Sequence, residues 1–271
     1  MSCVAAIQMV SGSDIDRNLR VAERLIHEAV QAGARLVLLP ENFALFESKL
    51  LFQLAAEEAK TGRINGWLSE LAKSLQVWLF AGSFPVLSET LKSQKVRSAL
   101  LVYNPSGEAV GRYDKRHLFD VDVCDGQGSY RESAVIEPGH ELVVVDTDVG
   151  RVGLSICYDL RFPDHFWQLR ELGAEIIVVP SAFTKVTGNA HWEVLLRARA
   201  IETQCFILGA NQGGVHSPTR ETAGGSMVVD PWGVVLSRCG TGEGVVLTEL
   251  DFELLRKVRQ QMPVLKHRRS S

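Results

Sequence analysis

Cysteine is scarce in this chain of 271 residues, and its few copies are widely spread. The five cysteines form no C-x-x-C pair and are Cys3, Cys124, Cys157, Cys205 and Cys239. An odd and scattered set is not typical of a disulfide framework or a zinc ribbon. The seven histidines show no metal-binding spacing either, so we expect no metal. The pattern indicates a reducing compartment, and we predict a cytoplasmic protein.

Two further absences argue against a membrane or a nucleic acid as partner. The apolar runs, such as 36–40 and 176–180, are far shorter than the ~20 residues of a membrane helix. The first 16 residues lack a basic segment, so we expect no secretory signal there. Lys and Arg together number 29 against 32 Asp and Glu, and this balance leaves no basic footprint for phosphate binding.

The composition that remains is that of a folded globular protein. Hydrophobic residues make up 46% of the chain and charged residues 23%, which excludes disorder as the main state. We see no interdomain linker, and we therefore predict one domain over residues 1–271.

The chain contains an internal repeat. Residues 33–43 read GARLVLLPENF and residues 173–183 read GAEIIVVPSAF, so each copy has Gly-Ala, an apolar run, Pro and Phe. The flanks repeat in the same order, with strands predicted at 4–10, 77–84, 151–157 and 206–212, helices at 17–32, 64–76, 164–172 and 191–204, and hairpins at 99–115 and 225–239. Each half therefore reads β-α-β-α-β-β-β.

This repeat predicts an α/β fold made of two similar halves. Continuous apolar runs are typical of parallel strands that are buried on both faces. Two half-sheets, each with helices on one face, would pack against each other as a four-layer α-β-β-α sandwich. The alternative is a single doubly wound sheet.

Reactive side chains follow several of the predicted strands. Glu41 follows one strand, Lys115 follows a hairpin strand, and Cys157 follows another strand directly, with Tyr158 and Asp159 next to it. Ligands bind beyond the carboxyl ends of parallel strands, so these groups are candidates for one site. An acid, an amine and a thiol together are typical of nucleophilic catalysis.

Each of these residues also has a structural interpretation. Glu41 could cap a helix, Lys115 could be a surface lysine, and Cys157 could be a small buried hydrophobic residue. A Cys-His enzyme that pairs Cys157 with His117 or His191 is another alternative at this point.

Three segments resemble the motifs of the nitrilase superfamily of carbon–nitrogen hydrolases. PENF (40–43) is similar to its glutamate motif, YDKRHLFDVD (113–122) to its lysine motif, and SICYDLRFP (155–163) to its cysteine motif. Asp114 stands where the lysine motif usually has a basic residue. The resemblance covers almost the whole chain and implies the same α-β-β-α sandwich.

The resemblance implies a catalytic set. Glu41 matches the general base, Lys115 the lysine that stabilises the oxyanion, and Cys157 the nucleophile. In the family a second acidic residue, in the loop after the lysine motif, positions the substrate and the base. Glu132 is the better match to this residue, and Asp125 is the alternative.

The resemblance also implies a substrate class. Segments 187–205 and 226–233 are most similar to the Nit-type amidases, which include deaminated glutathione amidases and ω-amidases. Both act on amides of a 2-oxo dicarboxylic acid. The substrate-binding candidates are Tyr158, Arg161, Phe183, Thr187 and His191, with Tyr158 offering its backbone N–H to the oxyanion. Arg161 could instead belong to a structural ion pair.

Partners and cofactors follow from the same resemblance. It implies a small-molecule amide substrate, no cofactor and a homodimer.

The alternative functions are a pseudo-enzyme that serves as an interaction module, a glutaminase domain that feeds a synthetase, and a nitrile hydrolase.

Overall fold

The computed structural model describes residues 2–88, 95–126 and 128–269. The strands of the first half are β1 (Ser2–Gln8), β2 (Leu36–Leu38), β3 (Trp78–Phe80), β4 (Phe84–Leu87), β5 (Val96–Tyr103), β6 (Ala109–Asp114), β7 (Asp120–Asp122) and β8 (Ser129–Arg131). Its helices are α1 (Ile15–Gln31), α2 (Leu51–Thr61) and α3 (Arg63–Leu75).

The second half repeats this pattern. Its strands are β9 (Val144–Asp146), β10 (Arg151–Leu154), β11 (Ile176–Ser181), β12 (Phe206–Asn211), β13 (Val215–Ser217), β14 (Arg220–Glu221), β15 (Met227–Val229), β16 (Val235–Arg238) and β17 (Gly244–Leu250). The helices are α4 (Pro163–Glu171), α5 (Lys185–Thr187), α6 (Glu193–Thr203), α7 (Phe252–Gln261) and α8 (Val264–His267). Among the described residues, no helix has the length and apolar character needed to cross a membrane.

The two large sheets have equivalent strand orders. The first runs β17-β1-β2-β3-β5-β6, with β4 also paired to β5, and the second runs β9-β10-β11-β12-β15-β16. In each sheet three central strands are parallel and the strands that flank them are antiparallel. The repeat read in the sequence is therefore confirmed.

The side chains of β1 show how the layers stack. Val4 and Ala6 lie in the core between the two sheets, whereas Ala5 and Ile7 pack against the helices of the first half. Successive side chains of a strand point to opposite faces, so this sheet is covered on both sides. Helices α4 and α6 cover the outer face of the second sheet. The α-β-β-α sandwich is confirmed, and the single doubly wound sheet is wrong.

The segment predicted as one strand over 77–84 is in fact two strands, β3 and β4. The chain bends between them at Gly82, whose φ is +54°. A Cβ at this position would lie 2.0 Å from the carbonyl oxygen of Pro40, so only glycine fits. The bend carries the chain past the end of β2 and into contact with the segment that holds Glu41.

Several further elements were not predicted, among them β9, β17, α7 and α8. Helix α2 covers the first sheet, and the short ribbons β7–β8 and β13–β14 lie outside both sheets. Strands of two or three residues carry too little periodicity to be read from sequence. The β7–β8 ribbon leads directly into Glu132, which contacts Lys115.

Candidate active site

The structure brings Glu41, Lys115 and Cys157 together, as the sequence predicted. Lys115 Nζ lies 2.8 Å from Glu41 Oε1 and 2.8 Å from Glu132 Oε1. The Cys157 thiol is within hydrogen-bonding reach of the Glu41 carboxylate. Glu41, Lys115 and Cys157 are all buried. The arrangement places one thiol, one ammonium and two carboxylates in a single cluster.

Glu41 is fixed through its backbone. It pairs with Ser83 in an isolated parallel bridge, and its carbonyl oxygen accepts a hydrogen bond of 3.0 Å from Gln212 Nε2. The side chain caps no helix and instead points at Lys115. The capping interpretation of Glu41 is therefore wrong.

Cys157 opens the 3-10 turn Cys157–Arg161 directly after β10, with a φ of +48°. A left-handed backbone is uncommon for a residue with a Cβ, and it is typical of functional turns. The backbone N–H of Ala182, directly after β11, faces the sulfur and favours its thiolate form. Burial and the nearby charge of Glu41 raise the pKa of the thiol well above its ordinary value. The thiol therefore needs a base to become a nucleophile.

Lys115 is 2% exposed, so the surface interpretation of this residue is wrong. Burial alone would lower the pKa of Lys115, but the charges of Glu132 and Glu41 outweigh it and raise that pKa well above the usual value. Lys115 is therefore a fixed cation in a water-poor site, where its field is strong.

Of the two acidic candidates in the loop after Lys115, the structure brings Glu132 to the lysine. Its second oxygen accepts a hydrogen bond of 2.6 Å from the backbone N–H of Phe119. Burial raises the pKa of Glu132. Asp125 lies elsewhere, accepting hydrogen bonds from Gly128 N at 2.9 Å and from the Tyr130 hydroxyl at 2.7 Å.

Sequence reasoning missed the role of Asp159, which is fully buried within the turn Cys157–Arg161. One carboxylate oxygen accepts from Ile156 N (2.8 Å) and the Tyr113 hydroxyl (2.6 Å). The other accepts from His117 N at 3.0 Å and contacts His117 Nδ1 at 2.6 Å. Asp159 thus ties the residue before Cys157 to residues on both sides of Lys115. The sequence signal for this role is that Asp159 stands two residues after Cys157 in one motif, and His117 two residues after Lys115 in the other.

Replacing Asp159 with asparagine should reduce kcat roughly 10–100-fold while KM changes little. The amide puts an N–H donor where the carboxylate accepted hydrogen bonds, so the cysteine turn and the lysine loop should shift relative to each other. Steady-state kinetics measures this effect. Tyr113→Phe is the matched control, because it removes one hydrogen bond and should cost less than about fivefold. A loss of stability with unchanged kcat would show that Asp159 only stabilises the fold.

The two histidines proposed as partners of Cys157 have other contacts. His117 faces Asp159 and stacks on Phe162 with ring centroids 3.7 Å apart. His191 Nδ1 lies 3.3 Å from Arg161 Nη1. The Cys157 sulfur faces Glu41 and Ala182 instead. Within the described ranges, no three His, Cys, Asp or Glu side chains are grouped so that they could hold a metal ion.

Four of the five substrate-binding candidates lie together. The Arg161 guanidinium stands over the rings of Tyr158 and Phe183, 5.8 and 5.3 Å from their centroids, and next to His191. Among the residues that the structure describes, no Asp or Glu forms a salt bridge with Arg161. The structural ion pair suggested for this arginine is therefore not found. Both terminal nitrogens of the guanidinium instead face His191 Nδ1, at 3.3 and 3.4 Å.

Thr187, the fifth candidate, is held locally. Its hydroxyl lies 2.9 Å from the hydroxyl of Thr184, which also accepts from the Thr187 backbone N–H and caps α5. The structure therefore gives Thr187 a capping partner, Thr184.

Comparisons with known proteins identify the family of this chain. The model of the carbon–nitrogen hydrolase family matches residues 3–260. The chain is 45% identical to the deaminated glutathione amidase of Yersinia enterocolitica, with 98% of this chain and 92% of the relative covered. It is 43% identical to the deaminated glutathione amidase of Mus musculus, covering 98% and 83%. Saccharomyces cerevisiae Nit3, a solved member of branch 10 of the nitrilase superfamily, superimposes with a TM-score of 0.88 at 30% identity, covering 99% and 97%. The chain belongs to the carbon–nitrogen hydrolase family.

Proposed function

We propose that this chain is an amidase in which Cys157 is the nucleophile, Glu41 the general base and Lys115 the oxyanion-stabilising cation. The observation that supports this most directly is the buried cluster itself. Lys115 Nζ lies 2.8 Å from each of two carboxylates, and Glu41 also reaches the thiol. A pseudo-enzyme would have no need for this costly arrangement of buried charges.

The first half of the reaction forms a thioester. Glu41 takes the proton of the Cys157 thiol while the sulfur attacks the amide carbon. The carbonyl oxygen becomes an oxyanion, which Lys115 and the backbone N–H of Tyr158 stabilise. Tyr158 lies in the first turn of a 3-10 helix, where N–H groups have no partner within the helix. Glu41 then gives its proton to the leaving nitrogen, and the C–N bond breaks.

The second half releases the acid. Water attacks the thioester carbon, Glu41 accepts a proton from that water, and the same oxyanion contacts stabilise the intermediate. The C–S bond breaks and the thiol regains its proton. In this scheme Glu132 holds Lys115 in place through their 2.8 Å contact. All steps use side chains and backbone of this chain, so the proposed reaction needs no metal or cofactor.

Deaminated glutathione is the proposed substrate, with 2-oxoglutarate and cysteinylglycine as products. Support comes from the relatives of Yersinia enterocolitica and Mus musculus, which are named for this activity. The acyl half carries a carboxylate and a keto group, and the Arg161 guanidinium beside His191 is a suitable donor set for it. Phe183 and Thr187 would form the wall of this acyl pocket.

A turnover assay with deaminated glutathione, 2-oxoglutaramate, intact glutathione and a simple nitrile tests this function. We expect kcat/KM for deaminated glutathione to exceed that for 2-oxoglutaramate at least about tenfold, or roughly 1.4 kcal/mol of transition-state stabilisation. Intact glutathione should be excluded, because its ammonium replaces the keto group and is costly to desolvate. Equal or faster turnover of 2-oxoglutaramate would favour an ω-amidase. Efficient hydrolysis of intact glutathione would refute both interpretations.

We also propose a single domain, a homodimer and a cytoplasmic location. The domain proposal is supported by β17, which joins the first sheet from the far end of the chain. An exposed apolar patch on and beside α6, formed by Val194, Ile201, Trp232 and Val234, supports the dimer. Five free cysteines support a reducing compartment. Sedimentation of the purified protein measures the oligomeric state.

A further inference from the structure

Arg220, on the ribbon strand β14, has unusual contacts. Its guanidinium lies over the ring of Tyr130, 4.6 Å from the centroid, and over that of Phe46 at 5.4 Å. Its Nη2 donates a hydrogen bond of 3.3 Å to the carbonyl oxygen of Ala182. Two aromatic faces and one carbonyl therefore hold the side chain in a defined position.

All three partners of Arg220 belong to segments that build the active site. Phe46 comes five residues after Glu41, and Tyr130 comes two residues before Glu132. The N–H of Ala182 faces the Cys157 sulfur, and its carbonyl accepts a hydrogen bond from Arg220. One residue and two contacts therefore separate the guanidinium from the sulfur, a distance on the order of 10 Å. Arg220 lies at the rim of the same site.

In the described part of the chain, Arg220 has an acid nearby but no salt bridge, because the Tyr130 hydroxyl that the guanidinium contacts donates to Asp125. Its Nη1 is buried and has no hydrogen-bond partner among the described residues. Among the described residues, no Asp or Glu forms a salt bridge with Arg220. Its neighbour Glu221 pairs with Lys185 at 2.8 Å. A buried cationic donor without an acceptor is costly, and an anionic ligand would relieve that cost.

We propose that Arg220 binds the carboxylate at the far end of the leaving half of the substrate. This inference rests on the proposed function and narrows its substrate class to amides whose leaving amine carries an anion. A dipeptide extends roughly 7 Å from the scissile nitrogen to its carboxylate, which suits the separation between Cys157 and Arg220. The side chain as a whole is partly exposed, although Nη1 itself is buried.

The two arginines then divide the recognition of the substrate. Arg161 stands over the ring of Phe183, and Arg220 contacts the carbonyl of the preceding Ala182. They therefore flank the segment whose N–H faces the nucleophile. Arg161 would serve the acyl half, and Arg220 would serve the leaving half.

The test combines two variants with three substrates. Arg220→Gln and Arg220→Lys are assayed on deaminated glutathione, on the same compound with its C-terminal carboxylate converted to a carboxamide, and on 2-oxoglutaramate. Arg24→Gln, an exposed arginine on α1 that pairs with Glu243, is the control for loss of one positive charge. Thermal unfolding of each variant is measured alongside.

We expect Arg220→Gln to lower kcat/KM for deaminated glutathione roughly 10–100-fold, mainly through KM, as for loss of a charge-assisted hydrogen bond. For the carboxamide and for 2-oxoglutaramate, kcat/KM should change less than about threefold. Arg220→Lys should keep part of the preference for deaminated glutathione over its carboxamide. An equal loss on all three substrates would overturn the inference and identify Arg220 as a structural clamp. Failure of the wild-type protein to hydrolyse deaminated glutathione would overturn the proposed function and this inference with it.

Discussion

Replacement of Cys157 by alanine should reduce amide hydrolysis by about a thousandfold or more, with the fold intact. The thiol is the attacking group in the proposed reaction, and no other described sulfur is placed beside Glu41 and Lys115. Alanine has nearly the same backbone preferences as cysteine, so the left-handed turn should survive and the free energy of unfolding should change by about 1 kcal/mol or less. Steady-state turnover and urea unfolding measure the two effects.

Cys205 offers the matched control. It is fully buried and its thiol donates to the carbonyl of Ala174, far from the catalytic cluster in sequence. Cys205→Ala should lower stability and leave kcat unchanged. Mass spectrometry of a quenched turnover mixture should place the acyl group on Cys157. Retention of more than a tenth of wild-type turnover in Cys157→Ala, or an acyl group on Cys124, Cys205 or Cys239, would refute the assignment.

Lys115→Met should lower kcat about 10²–10³-fold and also destabilise the protein strongly. The first effect follows from loss of the oxyanion donor. The second follows from the burial of the ion cluster, because Glu41 and Glu132 would face each other without a cation. Breaking a buried pair in this way typically costs about 3–5 kcal/mol.

A double variant separates the two effects of Lys115. Lys115→Met combined with Glu132→Gln leaves one buried carboxylate, so part of the lost stability should return while kcat stays low. The stability deficit of Lys115→Met should also be smaller at pH 5 than at pH 8, since a proton bound between the two carboxylates relieves their repulsion. Chemical denaturation at both pH values measures the deficit. A large loss of stability with intact kcat would show that Lys115 is only structural.

Much of the fold could be predicted because its signals are local. Continuous apolar runs such as 36–40 and 176–180 identify strands buried on both faces, and their repetition with the same flanking elements predicts two equivalent sheets. The short ribbons could not be read, since strands of two or three residues show no periodicity. The bend at Gly82 was missed because a glycine in a strand pattern does not reveal which backbone it must approach.

The sequence by itself determined the layered fold, the family resemblance and the reactive residue types at Glu41, Lys115 and Cys157. Only the tertiary structure decided which acid reaches Lys115, that this lysine is buried, and that Asp159 joins the two motif loops. It also placed Arg220 beside Ala182. The physical reason is distance along the chain: Lys115 and Glu41 are 74 residues apart, and Arg220 and Ala182 are 38 apart. Hydrophobic periodicity specifies how strands and helices pack, but loops that leave different strands meet only after that packing is complete.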